Sequence, residues 1–295
     1  MNLSLSRSFP IAKAALAAAV IACVVALTCS LAGCASGGTG SSSADADNTS
    51  ASTDGKTLRV AMELAYPPFE TKDDAGNPEG LAVDFIRDFG AAYGYDVQIE
   101  NTAWDGLIPS LQSDKADLVI SSMTITDERK QSVDFSDAYA MAQLAILANA
   151  DSGVASIDDL NQPGKKVAVK TGSTGDVYAT KNLTNAEIVR LADESACVTE
   201  VVQDKADGFL YDQLTIYRNH KANPDTTEAV FIPFQDAEEW GIAVKKGDTE
   251  LLDQLNAFIA QSKTDGEFDR LTEKYLADEK KAFDQYGFKW FFDFE

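Results

Sequence analysis

The stretch DLVISSMTITDER, residues 117–129, indicates the fold more directly than any other part of the chain. Its apolar run, 118–120, predicts a buried strand, and the polar residues after the run lead to Arg129. We therefore predict a strand at 117–121, followed by a polar segment.

On both sides of this stretch, short β-branched or apolar runs alternate with amphipathic runs, which predicts an α/β protein with mostly parallel sheets. The predicted strands are 58–62, 97–101, 117–121, 166–170, 188–191, 207–210 and 242–244. The predicted helices are 82–93, 106–112, 175–182, 194–204, 211–219, 250–263 and 267–276. Two extended apolar segments, 142–148 and 231–234, divide these elements into two groups, so we expect the chain to build one lobe, cross to a second and return.

The first 34 residues predict export. Arg7 and Lys13 precede an apolar stretch, 14–27, and LAGC follows at residues 31–34. This is the layout of a secretory signal peptide. An uncleaved transmembrane anchor is the alternative, because the apolar stretch approaches the roughly 20 residues of a spanning helix. The LAGC tetrad resembles the bacterial lipobox, which implies cleavage before Cys34 and attachment of diacylglycerol to its thiol.

A polar segment follows the leader. Residues 35–54 are almost entirely Ser, Gly, Ala, Thr, Asp and Asn, and none of them could join a core. We therefore expect 1–33 to be a lipoprotein signal peptide and 34–55 a flexible tether that the lipid anchors to the membrane. After cleavage, Cys197 would be the only cysteine besides Cys34, so we expect an exported protein without disulfides, with Cys197 buried on a helix.

The composition excludes several classes of function. A formal net charge of −22 argues against nucleic acid or an anionic membrane surface as a partner. His220 is the only histidine, which excludes histidine-based triads and multi-histidine metal sites. We predict no catalytic residue, no metal and no cofactor.

Eight motifs carry a family resemblance. They are AYPPFE (65–70), GLAVD (80–84), WDGLIPSL (104–111), DLVISSMTITDER (117–129), VDFS (133–136), KTGSTG (170–175), DGFLYD (207–212) and WGIAVKKG (240–247). In this order they resemble the extracellular or periplasmic solute-binding proteins of ABC importers, family 3, in the branch that binds polar amino acids. The resemblance covers about residues 57–276.

The resemblance implies the type II periplasmic-binding-protein fold. Two α/β lobes are joined by two hinge strands, and the ligand is held in the cleft between the lobes, which close around it. On this basis we assign 56–143 and 241–295 to lobe 1, with an aromatic C-terminal tail, and 144–240 to lobe 2.

A free amino acid carries a carboxylate and an ammonium on one carbon, so its site needs a cation and an anion at matched positions. Arg129 lies in the segment that matches the family's carboxylate clamp, although it could instead be a surface arginine paired with Asp127 or Glu128. Ser173 and Thr174 precede a predicted helix, and their amides would face the same carboxylate. An ordinary helix N-cap is the alternative there, and the segment can serve both purposes.

Asp212 matches the family position that receives the α-ammonium, and capping of the next helix is the alternative. The hydroxyl of Thr124 and the carbonyl of Ser122 should complete the acceptors of the ammonium. Tyr66 and Trp104 correspond to the family's aromatic pair around the ligand side chain.

Two residues are expected to select the ligand side chain. Glu63 and Ser121 lie at the positions that face it, and Glu63 should repel an acidic side chain and attract a cation or an amide. This favours a basic or neutral polar amino acid such as arginine, lysine or glutamine. Phe69, close by in the first motif, is expected to belong to the core.

The tail, residues 277–295, departs from the family pattern because it carries seven aromatic residues. We expect a final helix and strand packed on lobe 1, and a contact surface for the membrane partner is the alternative.

Together these features predict a monomeric substrate-binding lipoprotein, not an enzyme, that delivers an amino acid to an ABC permease with a separate ATPase. Its location would be extracytoplasmic, anchored to the cell membrane or facing the periplasm. Two alternatives stay open: a dehydratase-type enzyme on the same scaffold, in which Glu63 would be the acid or base, and a stand-alone amino-acid sensor.

Overall fold

The computed structural model of the protein describes residues 56–286 and 289–294. The predicted signal peptide, the tether and Cys34 lie outside these residues. Within the described part of the chain, no helix combines the length and the apolar character needed to cross a membrane.

Fourteen strands are present in the described residues. They are β1 (Lys56–Met62), β2 (Thr71–Lys72), β3 (Pro78–Glu79), β4 (Tyr95–Asn101), β5 (Leu118–Val119), β6 (Val133–Phe135), β7 (Ala140–Ala142), β8 (Leu144–Asn149), β9 (Lys166–Lys170), β10 (Glu187–Leu191), β11 (Gly208–Asp212), β12 (Thr227–Val230), β13 (Glu238–Trp240) and β14 (Ala243–Lys245).

The described α-helices are α1 (Leu81–Tyr93), α2 (Leu107–Gln112), α3 (Ile157–Leu160), α4 (Thr174–Asn182), α5 (Glu194–Val202), α6 (Gln213–Ala222), α7 (Thr249–Ser262), α8 (Glu267–Tyr275) and α9 (Ala277–Tyr286). Short 3₁₀ turns add Trp104–Gly106 and Arg129–Gln131.

Two five-stranded sheets form the two lobes of an α/β fold. The first has the order β4-β1-β5-β14-β6 and the second the order β10-β9-β11-β8-β12. Each sheet is mixed rather than mostly parallel, because β14 and β8 each run antiparallel to both neighbours. These are the strands that the chain forms after it arrives from the other lobe. They are reached without a helical crossover, so the parallel direction that a crossover imposes does not apply to them.

The chain crosses between the lobes through β7 and β13, which pair with each other antiparallel. The predicted crossing segment 142–148 overlaps β7 only at Ala142, and the segment 231–234 ends before β13 begins at Glu238. Five of the seven residues of the first segment, 144–148, belong to β8. Every residue of β8 is buried in the second sheet. An apolar run that is buried on both faces is typical of a central strand. The assignment of 56–143 and 241–295 to one lobe and 144–240 to the other stays a prediction.

The aromatic tail packs on the core of the first lobe. Phe283, Trp290 and Phe291 are buried there, and the carbonyl of Phe291 accepts a hydrogen bond from the amide of Met141 at 2.7 Å. The predicted final helix is present as α9. Residues 289–294 form no strand, so that part of the expectation was wrong. Cys197 is buried on α5 as a free thiol, as predicted.

Candidate functional site

All ten residues predicted for the site line one cavity between the lobes. The cavity spans about 480 Å³ including its open side, which is within the range of small-molecule sites. Its predicted members are Glu63, Tyr66, Trp104, Ser121, Ser122, Thr124, Arg129, Ser173, Thr174 and Asp212. Five further residues complete the lining: Glu70, Leu144, Tyr211, Glu238 and Trp240. Most of these residues lie at or just beyond strand ends, where α/β sheets bind ligands.

Arg129 is held in place from both lobes. Its Nη1 donates to the carbonyl of Thr124 at 2.7 Å and its Nη2 donates to the carbonyl of Gly172 at 3.2 Å. The guanidinium lies over the ring of Trp104, 5.2 Å from the centroid. Burial lowers the pKa of Arg129, and the negative charge of Glu238 partly opposes this effect. The side chain therefore presents a fixed cation to the cavity.

Asp212 both caps a helix and faces the cavity. Its Oδ1 accepts hydrogen bonds from the amides of Leu214 at 2.9 Å and Thr215 at 3.1 Å, at the start of α6. Its Oδ2 is buried and has no hydrogen-bond partner among the described residues. Burial raises the pKa of this carboxyl, and the buried hydroxyl of Tyr66 acts in the opposite direction. A buried carboxylate oxygen without a donor is unfavourable by itself, and a cationic ligand group would stabilise it.

Thr124 and Thr174 meet on one acceptor. Their hydroxyls donate to Oε2 of Glu238 at 2.9 and 2.7 Å. Ser173 caps α4 through its Oγ, which accepts from the amide of Asp176. The amide of Ser173 donates to the carbonyl of Lys170 at 3.0 Å, so the expectation that this amide faces a ligand anion was wrong. The turn that precedes the helix uses it.

Ser121 and Ser122 fix the loop that leaves β5. The Oγ of Ser121 accepts from the amide of Glu63 at 3.0 Å, and the Oγ of Ser122 donates to Oε2 of Glu70 at 3.1 Å. Ser122 adopts a left-handed backbone conformation with φ +47°. Such a conformation costs roughly 1 kcal/mol or more for a residue with a Cβ and is often found at functional sites.

Glu63 forms an ion pair with Lys170 across the cleft. The two side chains are only 13 % and 4 % exposed, and the ammonium of Lys170 lies 5.2 Å from the ring centroid of Trp104. Sequence reasoning missed Lys170 because it appeared as the last residue of a predicted strand. A lysine at the end of an otherwise apolar run was the signal that could have identified it.

The two predicted aromatic residues have different surroundings. Tyr66 stacks on Phe69 with centroids 5.6 Å apart and meets Trp240 edge to face at 5.9 Å. Phe69 is fully buried in the core, as predicted. Trp104 is partly buried and contacts the two cations already described. Both rings reach the cavity, and their role around a ligand side chain stays a prediction.

Two acidic residues of the lining were also missed. Glu70 is 1 % exposed, and burial raises its pKa well above the ordinary value, while the hydrogen bond from Ser122 acts in the opposite direction. Glu238 lies on β13, one of the two crossing strands. A charged residue inside an apolar motif was a signal for Glu70, whereas nothing local distinguished Glu238 from its neighbour Glu239. In the described ranges, no group of three or more His, Cys, Asp or Glu side chains could hold a metal ion.

Known proteins are similar to this chain in sequence and in architecture. Residues 58–278 match the family of bacterial extracellular solute-binding proteins, family 3. A probable histidine-binding protein of Neisseria gonorrhoeae is 37 % identical over 258 residues, which are 86 % of this chain and 94 % of that protein. The L-cystine-binding protein of Escherichia coli strain K12 is 32 % identical over 222 residues, covering 75 % and 82 %.

Solved structures give the same result. A putative binding component of an ABC transporter from Wolinella succinogenes, complexed with lysine, is 36 % identical with a TM-score of 0.69, and the match covers 76 % of this chain and 97 % of that one. The family match, the relatives and the two-lobed architecture agree. The chain therefore belongs to the bacterial extracellular solute-binding proteins, family 3, and is a binding protein rather than an enzyme.

Proposed function

We propose that this protein captures an L-amino acid in the cleft between its lobes and delivers it to the permease of an ABC importer. One observation carries the proposal: a fixed guanidinium, Arg129, and a buried carboxylate oxygen, Oδ2 of Asp212, line the same cavity. An amino acid carries the two complementary charges on one carbon. Binding both ends at once compensates the loss of hydration at each charge.

The other cavity groups fit the two ends of the ligand. Thr174 would add a hydroxyl to the carboxylate end from the second lobe. Thr124 and Ser122 would contribute a hydroxyl and a carbonyl to the ammonium end. Because Arg129 contacts carbonyls of both lobes, a ligand held by it would stabilise the closed arrangement of the lobes.

The side-chain end of the cavity favours a polar ligand, and a neutral amide fits it better than a cation. Glu63 is paired with Lys170, so its charge is already matched. An amide can accept from the ammonium and donate to the carboxylate of this pair, whereas a cationic ligand would have to compete with Lys170 for Glu63. The relatives named for histidine and L-cystine, and the structure complexed with lysine, support a polar side chain.

A ligand panel tests the assignment. The protein lacking residues 1–33, with Cys34→Ser, should gain melting temperature with one or a few L-amino acids, arginine, lysine, glutamine, histidine and cystine being tested first. Ligand at 100 times its Kd stabilises a protein by about 2.7 kcal/mol, which is easily measured. Arg129→Ala should abolish the shift and leave the ligand-free protein folded. Absence of any shift with the full set of amino acids would show that the ligand belongs to another class.

We further propose that the protein is a lipoprotein attached through Cys34 to the outer face of the cell membrane. The leader ending in LAGC and the polar segment after it support this arrangement. Cells fed a clickable palmitate analogue should label the wild-type protein and the control Cys197→Ser, but not Cys34→Ser. Continued labelling of Cys34→Ser would place the lipid on another residue, and an unlabelled wild type would show that the protein carries no lipid.

A further inference from the structure

Glu238 connects the two lobes through one carboxylate oxygen. Its Oε2 accepts from the hydroxyl of Thr124, which follows β5 of the first lobe, at 2.9 Å. The same oxygen accepts from the hydroxyl of Thr174, the first residue of α4 in the second lobe, at 2.7 Å. Its Oε1 accepts from Nε2 of Gln235 at 2.7 Å. The carboxylate is therefore held by donors from three segments.

These donors surround an anion in the way that a ligand carboxylate requires. Thr174 is the second-lobe hydroxyl that we assign to the ligand carboxylate, and Arg129 is the cation that we assign to it. The negative charge of Glu238 acts on Arg129, and both residues line the cavity. The protein thus brings a carboxylate of its own to the groups that would bind the carboxylate of an amino acid.

We propose that Glu238 competes with the α-carboxylate of the ligand and thereby sets the affinity of the site, an inference that rests on the proposed function. An arriving amino acid must displace Glu238 from Thr174 and bring a second negative charge towards Arg129. Both requirements weaken binding relative to a site with a neutral side chain at this position. A ligand without a carboxylate does not compete with Glu238 and brings no negative charge towards Arg129.

The neighbouring residue on the same strand provides a matched control. Side chains alternate across a strand, so Glu239 points away from the cavity that Glu238 lines, and it is exposed. Glu239→Gln therefore removes the same charge from the same strand without altering the cavity. Glu238→Gln keeps the size of the side chain and an oxygen that can accept from the two hydroxyls.

Calorimetric titration of the wild type and both variants tests the proposal. The probes are L-arginine, L-lysine and L-histidine, each paired with its decarboxylated amine, agmatine, cadaverine or histamine, and L-glutamine. For the amino acids that bind, Glu238→Gln should lower Kd about tenfold, the effect of roughly one charge interaction in a partly buried site. The amines should gain no affinity, and Glu239→Gln should match the wild type throughout.

Three results would overturn this role. Equal weakening of amino acids and amines in Glu238→Gln would mean that Glu238 contacts a cationic group of the ligand. Unchanged affinities would mean that it only supports the hinge. If no amino acid binds the wild type or Glu238→Gln, the proposed function itself is wrong and the role of Glu238 falls with it. Should Glu238→Gln fold poorly, Glu238→Asp replaces it, because a side chain shorter by one methylene no longer spans both threonines and should also bind amino acids more tightly.

Discussion

Asp212 divides its carboxylate between two tasks. Oδ1 caps α6 through the amides of Leu214 and Thr215, whereas Oδ2 is buried in the cavity lining without a hydrogen-bond partner among the described residues. The two interpretations of this residue that the sequence left open, ligand contact and helix cap, therefore concern different atoms. A substitution can separate them.

Replacing Asp212 with Asn should weaken ligand binding and keep the fold. Asparagine caps helices about as well as aspartate, so its Oδ1 can still accept from the two amides. Its amide group would then point a donor, not an acceptor, at the ligand ammonium. We expect loss of a charge-assisted hydrogen bond worth about 1.5–3 kcal/mol, or roughly 10- to 150-fold in Kd.

Asp212→Ala is the comparison, because alanine removes the cap as well. It should lose at least as much affinity and about 1 kcal/mol of stability. Titration calorimetry and urea unfolding of the three proteins measure both quantities. Wild-type affinity in Asp212→Asn would exclude the carboxylate from the ligand, and wild-type stability in Asp212→Ala would contradict its capping role.

Site residues that lie in recognisable local motifs could be identified from the sequence. Residues whose partners lie across the cleft could not. Arg129, Ser173 and Asp212 lie in motifs that follow predicted strands, and the family resemblance of these motifs indicated that they would converge at the strand ends. Lys170 and Glu238 acquire their partners only when the lobes approach each other. Glu63 and Lys170 are 107 positions apart in the chain, and nothing in either local pattern connects them.

The secondary-structure elements were predicted well where hydrophobic periodicity was strong and poorly where the chain changes lobe. The helices predicted at 82–93, 250–263 and 267–276 agree with α1, α7 and α8 to within one residue at each end. In contrast, β8 is buried along its whole length, and a short apolar run of this kind reads equally as a crossing segment or a central strand. The pairing of β7 with β13 depends on contacts distant in sequence, which local patterns do not reveal.

The C-terminal elements touch both the hinge and the second lobe. Phe291 packs against Trp240 of β13 with centroids 5.5 Å apart, and its carbonyl accepts from the amide of Met141 on β7. On α9, Oε1 of Glu279 lies 3.9 Å from Nε of Arg218 on α6. The aromatic residues of the tail led us to expect a final helix, but the course of the following residues depends on a hydrogen bond to a strand about 150 positions earlier. The tail thus supports the crossing strands from the side of the first lobe.

At the scale of the whole molecule, the acidic residues behind the net charge of −22 differ in their exposure to solvent. Most of the acidic side chains are at the surface, where they keep the protein soluble, but Glu70 is almost completely buried beside the cavity. Its pKa is raised well above 4.5, first by burial and then by the charges of Glu63 and Asp212, against the hydrogen bond from Ser122 and the charge of Lys170. Glu70 therefore links global stability to pH.

The sign of this linkage follows from where the proton is held. With a pKa raised in the folded state, folded Glu70 keeps its proton in a pH range where the unfolded chain has lost it. Unfolding then releases a proton, so the free energy of unfolding falls as pH rises from about 4.5 to the folded pKa, by at most about 1.4 kcal/mol per pH unit for one group. Below pH 4.5 both states hold the proton and this contribution to the slope vanishes.

Glu70→Gln should remove this dependence, because glutamine is neutral at every pH and can still accept from the hydroxyl of Ser122. In urea unfolding of the ligand-free protein between pH 4 and 9, the wild type should lose more stability than the variant as pH rises, so that the difference in unfolding free energy grows with pH. Asp212 and Glu194, whose pKa values burial also raises, contribute to both proteins alike. Glu79→Gln, at an exposed glutamate, should follow the wild type. Parallel curves for the wild type and Glu70→Gln would mean that Glu70 is ionised at the same pH in the folded and unfolded chain, which would contradict its burial as an uncharged group beside the site.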